Sequence, residues 1–534
     1  MNYLNAIPLN IISLIGIFGL CGIAWIFSEN RKLKYFPWRL AIAGILLQLG
    51  LGALVFVVPG SREALQLFSS FLDSLFIAAD FGARFVFGRN IVPVPGTEPD
   101  INLGYIFAFR ALPTVIFFSG LMALLYNIGV IQFVTTIFAK IFYTVMRLSG
   151  AEALSGAANI FVGIEAAIVV KPFLAKMTRS ELCAILSCCF GTAASSTLAI
   201  YVSFLRPVFP NILGHLVSAS IIAIPACFVL SKILVPETEI PLTAAGIPRQ
   251  DDIRASEYTL TDASESGEAA RETVGGEPIE RISPLDAAII GALDGVKMAV
   301  SIAAVLILIL GLVSLINQLF GWLAILPGSV GEFFQVFTLS NILGALFLPL
   351  TALTGVSLEW NELWQSSVII GRRLLETAIP PYQALGEAAA LPEAQRVISD
   401  RAVLIVSYAL SGFAHLASVG IFVGGVSALI PSRRRDIAAL GWKALFVGTL
   451  ATYMIACVAG FYDTGAPGIL GEREETPAIT APASPVSPAN SPSPVQTAPA
   501  IAPGASPTVA PTNPPALPSP TTVPPVPPQS SPSP

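Results

Sequence analysis

The stretch Asn159-Ile160-Phe161-Val162-Gly163-Ile164-Glu165-Ala166-Ala167 sets a carboxamide, a glycine and a carboxylate inside an apolar segment running from about residue 152 to 176. In a bilayer, an ionisable side chain there costs about 2.5–3.5 kcal/mol on insertion scales, which makes Glu165 a site candidate by default. Gly163 lets the chain turn, and Asn159 with nearby carbonyls can meet a cation. The bland alternative for Glu165 is a pairing with Lys171 or Arg179.

The surrounding chain argues for the bilayer. Apolar types make up 54% of the 534 residues and charged types 12%, whereas soluble domains carry about 25% charge. Apolar runs near the ~20 residues that span a membrane recur at about 8–28, 40–58, 112–135, 182–205, 212–235, 287–320, 402–430 and 437–461. The first run has no Lys or Arg before it, and Arg31, Lys32, Lys34 and Arg39 follow it. It therefore reads as a retained span and not as a signal peptide.

Shorter or broken apolar segments lie at about 64–82, 136–147, 152–176, 335–355 and 361–385. Such breaks mark re-entrant or interfacial backbone. The pair 136–147 and 152–176 precedes two spans, and the pair 335–355 and 361–385 precedes two more. Corresponding interruptions in two halves point to a transporter site at the repeat interface. Basic clusters at 31–39, 171–179 and 433–435 mark cytoplasmic ends. Counting spans from them sets the first pair at the cytoplasmic face and the second at the outer face.

The expected fold is an all-α polytopic membrane protein, with about eight transmembrane helices and two re-entrant hairpins in inverted repeats. The expected division is scaffold helices 1–135, a first transport repeat 136–236, a loop 237–283, a scaffold span 284–334, a second transport repeat 335–465 and a tail 466–534. The loop is acidic and polar and reads as flexible and cytoplasmic. Residues 476–534 are mostly Pro, Ser, Ala and Thr without a charged residue, and read as a disordered, extended linker outside the cytoplasm.

Three further constellations carry candidate chemistry. Glu376 lies in Gly371-Arg372-Arg373-Leu374-Leu375-Glu376-Thr377-Ala378-Ile379-Pro380-Pro381-Tyr382, where Arg372 or Arg373 could neutralise it and the prolines break any helix. In Gly412-Phe413-Ala414-His415-Leu416-Ala417-Ser418, His415 and Ser418 would share one helix face beside the Phe413 ring. In Gly191-Thr192-Ala193-Ala194-Ser195-Ser196-Thr197, small and hydroxyl residues suit close helix packing, or lend oxygens to a hard cation.

Other classes find no support. The six cysteines, Cys21, Cys183, Cys188, Cys189, Cys227 and Cys457, all lie in apolar stretches away from metal-ligand spacing with His215 or His415. No nucleophile–base pair suggests an enzyme, and no basic stripe suggests nucleic-acid binding.

These residues, with the stretches Phe27-Ser28-Glu29-Asn30-Arg31, Phe107-Ala108-Phe109-Arg110-Ala111-Leu112-Pro113, Ser149-Gly150-Ala151-Glu152, Lys176-Met177-Thr178-Arg179-Ser180-Glu181-Leu182 and Val235-Pro236-Glu237-Thr238-Glu239, make the chain resemble the concentrative nucleoside transporter family over residues 10–461. The resemblance implies a multi-pass inner-membrane homotrimer with a fixed scaffold and a moving transport domain. It implies symport of nucleosides with sodium or protons by alternating access, without another cofactor. Sodium ligands would fall at Asn159, the Val162 carbonyl, Thr192 and Ala193. Substrate contacts would fall at Glu165, Phe413, His415 and Ser418; Glu376 stays a substrate-binding candidate from its own segment, two residues from Ala378, which stands where the family has its glutamate.

Departures from the family pattern fall on the substrate side. The family's Gln-Thr-Glu-Ala-Pro is shortened to Ile164-Glu165-Ala166-Ala167. Its Asn-Glu-Phe-Val-Ala-Tyr is Thr377-Ala378-Ile379-Pro380-Pro381-Tyr382, and its Gly-Phe-Ala-Asn ends in His415. Sites that lose polar partners for a hydroxyl-rich ligand lose discrimination steeply. A symporter of another polar metabolite, or a transport-inactive sensor, is the competing expectation.

Overall fold

A computed structural model describes residues 3–58, 61–94, 106–161, 163–247, 273–274, 277–278, 283–392, 394–465 and 469–471. Most of the expected cytoplasmic loop, and the tail from 472 onward, lie outside the described residues.

The first half comprises α1 (Tyr3–Ile26), α2 (Trp38–Phe56), α3 (Ser61–Phe87), α4 (Phe107–Arg110), α5 (Leu112–Asn127), α6 (Val130–Met146) and α7 (Gly150–Ala158). A 3-10 segment (Ile164–Val170) and α8 (Lys171–Leu174) follow, then α9 (Arg179–Gly191), α10 (Ser195–Leu205) and α11 (Ile212–Leu234). The second half holds α12 (Pro284–Ala324), α13 (Ser329–Val336), α14 (Leu339–Leu353), α15 (Trp360–Glu376), α16 (Ile379–Ala390), α17 (Asp400–Leu410), α18 (Leu416–Leu429) and α19 (Arg434–Tyr462). A two-residue antiparallel ribbon, Thr273–Val274 with Glu277–Pro278, is the extended structure found among the described residues.

Among the described residues, six helices are long and apolar enough to cross a membrane. They correspond to six of the eight expected spans. The other two, 182–205 and 402–430, are not continuous: Thr192–Ala194 separates α9 from α10, and Ser411–His415 separates α17 from α18. Small, hydroxyl and His residues mark both places (Gly191–Thr197 and Ser411–His415), but neither carries a charged residue or a proline, so they read as parts of one span. The expected span 112–135 stops at Asn127, and Gly129, at φ +88°, turns the chain into α6.

Each half then shows one order of elements: a helix (α6 or α14), a hairpin, a broken helix and a long helix (α11 or α19). The first hairpin joins α7 to the 3-10 segment, clasped where Ser155 Oγ donates to the Ala166 carbonyl (3.1 Å). The second joins α15 to α16 through Thr377, at φ +69° and ψ −176°. That region is essentially restricted to glycine, so a β-branched residue there stores strain.

The foot of the first hairpin explains several of the sequence motifs. Ser149 with Glu152, and Thr178 with Glu181, form capping boxes that start α7 and α9. The boxes are cross-linked, because Ser149 Oγ donates to Glu181 Oε1 (2.6 Å). Lys232 near the end of α11 pairs with Glu152 (2.5 Å) and Glu237 (3.0 Å), and Thr178 Oγ1 donates to Glu237 (2.9 Å). Nearby, Ser28 Oγ donates to the Ile233 carbonyl (2.7 Å), and Glu29 meets Arg179 (2.9 Å) and Lys443. Partial burial works against ionisation of Glu29, but hydrogen bonds from Arg179 and Lys443 outweigh it and hold its carboxyl below the usual range.

At the start of α17, Arg401 forms a second buried cluster. It donates to the Gly355 carbonyl (2.9 Å), Asn10 Oδ1 (2.9 Å) and Ser13 Oγ (3.2 Å), and it pairs with Asp463 (3.0 Å). The two clusters fasten both broken helices to α1, α11 and α19. By contrast, α12 packs chiefly on α5, and only 11% of its apolar window is buried within the chain.

Candidate functional site

The breaks cross each other. Phe413 N–H donates to the Thr192 carbonyl (3.2 Å). A Cβ on Gly412 would sit 2.8 Å from the Gly191 and Phe190 carbonyl oxygens and 2.6 Å from Thr452 Cγ2, so only glycine allows this approach. Where a helix breaks, its half-helix ends expose backbone groups and dipole ends in a low-dielectric interior. The crossing of α9–α10 with α17–α18 brings four such ends together.

Of the expected cation residues, Thr192 and Ala193 lie in the first break, and Asn159 ends α7, a helix that packs on α9. Thr192 is buried, and its hydroxyl donates to the Cys188 carbonyl (2.9 Å), which leaves its oxygen able to accept or ligate. Ala193 is fully buried. Asn159 caps the C-terminus of α7, which packs on α9. Its Nδ2 donates to the Ser155 carbonyl (3.2 Å), while its buried Oδ1 has no hydrogen-bond partner among the described residues. A buried unpartnered carboxamide oxygen is costly and is what a hard cation seeks. Val162 lies outside the described residues, as does the side chain of Glu165.

The substrate-side candidates are placed differently from expectation. His415 does not share a helix face with Ser418. It is the extended N-cap of α18, with Nδ1 accepting the Ser418 N–H (3.3 Å) and Ser418 Oγ 3.0–3.1 Å from the ring nitrogens. The glycine-flanked break places it outside the helix, and a capping bond replaces i,i+3 stacking. The Phe413 ring meets it edge-on, with centroids 6.0 Å apart. Glu376 is buried and paired with Arg372 (2.8 Å), one turn earlier on α15. It is neutralised within its own helix and is not an unpaired acceptor at the crossing.

Three further buried side chains stand on the second hairpin and the broken helices. Tyr201 and Tyr382 stack with centroids 4.4 Å apart, and the Tyr382 hydroxyl donates to the Ser407 carbonyl (2.6 Å). Arg373 is fully buried and donates to the Ala409 carbonyl and to Thr452 Oγ1 (3.1 Å). The available signal was two adjacent arginines in an apolar segment, which does not say which one turns inward. A cavity of about 610 Å3 opens between α10, α12 and α16, with walls such as Phe204, Leu306 and Ile379. None of the expected site residues lines it.

Crossed helix breaks with two hairpins inside a polytopic helical chain are the layout of a secondary transporter. Family models match described as Na+ dependent nucleoside transporter N-terminus (residues 15–90), nucleoside recognition (108–208) and Na+ dependent nucleoside transporter C-terminus (215–460). The chain is 32% identical over 453 residues to an uncharacterized transporter of Haemophilus influenzae, covering 84% of this chain and 97% of that one. It is 30% identical over 458 residues to the nucleoside permease NupC of Helicobacter pylori, covering 85% and 98%. A solved structure of CNTnw in an inward-facing substrate-bound state superposes with a TM-score of 0.71 at 33% identity, covering 86% and 99%. The chain belongs to the concentrative, sodium-dependent nucleoside transporter family. It is therefore a multi-pass membrane protein of a transporter family and not an enzyme.

Proposed function

We propose that this chain carries nucleosides across the inner membrane by alternating access, coupled to sodium. The observation that carries the reading is the buried, unpartnered Asn159 Oδ1 on a helix packed against α9, whose break at Thr192 is held by Phe413. Family membership supplies the substrate class. In this account Asn159, Val162, Thr192 and Ala193 hold sodium. Phe413, His415, Ser418 and Glu165 face substrate, and Glu376 acts only through its pairing with Arg372. The divisions at 136, 237, 284, 335 and 466 separate scaffold, transport repeats, loop and tail. The sparsely buried α12 is the surface that two further copies in a homotrimer, or lipid, would cover. The tail leaves on the non-cytoplasmic side.

Thermal unfolding of the purified protein against nucleosides, nucleobases and sugars, with and without sodium, tests the reading. A ligand of the native state raises apparent stability by mass action. Stabilisation by a nucleoside that requires sodium supports it. Stabilisation by sodium with no nucleoside response would reassign the substrate to another polar metabolite. That second reading is favoured by Ile164, Ala378 and the internal pairing of Glu376. Proton coupling is the remaining alternative, and stabilisation that follows pH and ignores sodium would establish it.

A further inference from the structure

Arg373 is among the largest fully buried side chains of the chain. It lies on the hairpin arm α15, and no carboxylate among the described residues pairs with it. The ionisable side chains around it among the described residues include Tyr201, Tyr382, Tyr453 and His415. Its neighbour Arg372 takes the only acid of this arm's last turn, Glu376. An uncompensated guanidinium in a membrane interior is expensive, so its hydrogen bonds indicate what it is retained for.

One bond goes to the Ala409 carbonyl, in the last turn of α17. A cation there meets the negative end of the half-helix dipole and satisfies a carbonyl that the break leaves without a helical donor. The other goes to Thr452 Oγ1 on α19 (3.1 Å). Thr452 Cγ2 is the group that packs against Gly412, and Gly412 abuts the Gly191 and Phe190 carbonyls. The guanidinium thus stands one side chain away from the crossing of the two breaks.

We propose that Arg373 is a positioning residue. It fixes the break in α17 to the second hairpin and to α19, and its permanent charge opposes a second cation at the crossing, which weakens sodium binding and eases sodium release. This rests on the reading of the crossing as the sodium site. Charges about 10 Å apart in surroundings of effective dielectric near 20 alter a binding constant by roughly tenfold.

The test reads sodium half-saturation from sodium-dependent thermal stabilisation, which needs no substrate, in the full-length wild type and four variants. Arg373→Met is expected to lower half-saturation about tenfold, meaning tighter binding, whereas a purely structural loss would raise it. Arg373→Lys should stay within about twofold of wild type, because the charge is kept. Thr452→Asp, which neutralises the guanidinium in place, should tighten binding as Arg373→Met does, and it decides the matter if Arg373→Met fails to fold. Thr452→Val should lower stability without moving half-saturation. Unchanged or weaker sodium binding in Arg373→Met and Thr452→Asp, with a wild type that responds to sodium, overturns the assignment of Arg373 alone. A wild type with no sodium response overturns the sodium-site reading and this proposal with it.

Discussion

The N–H of Phe413 donates to the carbonyl oxygen of Thr192 across 3.2 Å, although 221 residues separate them (413 − 192). The two unwound segments use one another to satisfy backbone groups that neither helix can satisfy alone. In a membrane interior such groups are tolerated only where protein or water meets them.

Gly412 is the position on which this crossing depends. An added methyl would meet two carbonyl oxygens and a threonine methyl, all inside 3.0 Å. Gly412→Ala is expected to lower stability by about 1–3 kcal/mol through overpacking and to abolish uptake. Gly424→Ala, whose added methyl meets nothing within 4 Å, serves as the control. Thermal unfolding and proteoliposome uptake of the two variants check this.

In the proposed sodium site, Asn159 would offer the coupling ion an oxygen that has no hydrogen-bond partner among the described residues. Asn159→Ala removes that oxygen and leaves its neighbours in place. Sodium should then no longer raise the unfolding temperature, while the sodium-free protein unfolds close to wild type. Full sodium stabilisation in this variant would remove Asn159 from the site.

The pair of Lys232 with Glu152 joins α11 to the first hairpin. Removing one partner strands a buried charge, at about 3–5 kcal/mol. Lys232→Met should therefore unfold at much lower temperature. Adding Glu152→Gln should restore a large part of the loss, since the stranded charge is then gone. Additive losses in the double variant would contradict the pairing.

Glu29 links stability to pH at the membrane surface. Its folded carboxyl titrates below the unfolded value, so its contribution is present above the unfolded pKa. It is lost as pH falls through the folded one. Stability measured between about pH 6 and 3 should decline on acidification, and Glu29→Gln should flatten that decline. Its partial exposure makes the effect small.

Much of this architecture is legible from hydropathy, charge and the interrupted segments, because spans and half-repeats follow from apolar run length. The breaks at Thr192–Ala194 and Ser411–His415 are not, because their small and hydroxyl residues, without a charge or a proline, suit a continuous packed span as well as a break. They follow from backbone contacts between segments distant in sequence. His415 is legible as a polar group near the site, but its role as a cap depends on where the helix starts. Glu376 and Arg373 show the same limit. The sequence presents two arginines near one acid, and only packing decides that Arg372 takes the acid while Arg373 turns toward α17 and α19.

The measurement that tests the central claim most directly is uptake of labelled uridine by proteoliposomes holding the full chain, under an imposed inward sodium gradient. The account predicts accumulation above equilibrium that collapses when a sodium ionophore dissipates the gradient. Equilibration that ignores the sodium gradient, or no uptake by protein that sodium still stabilises, would contradict it.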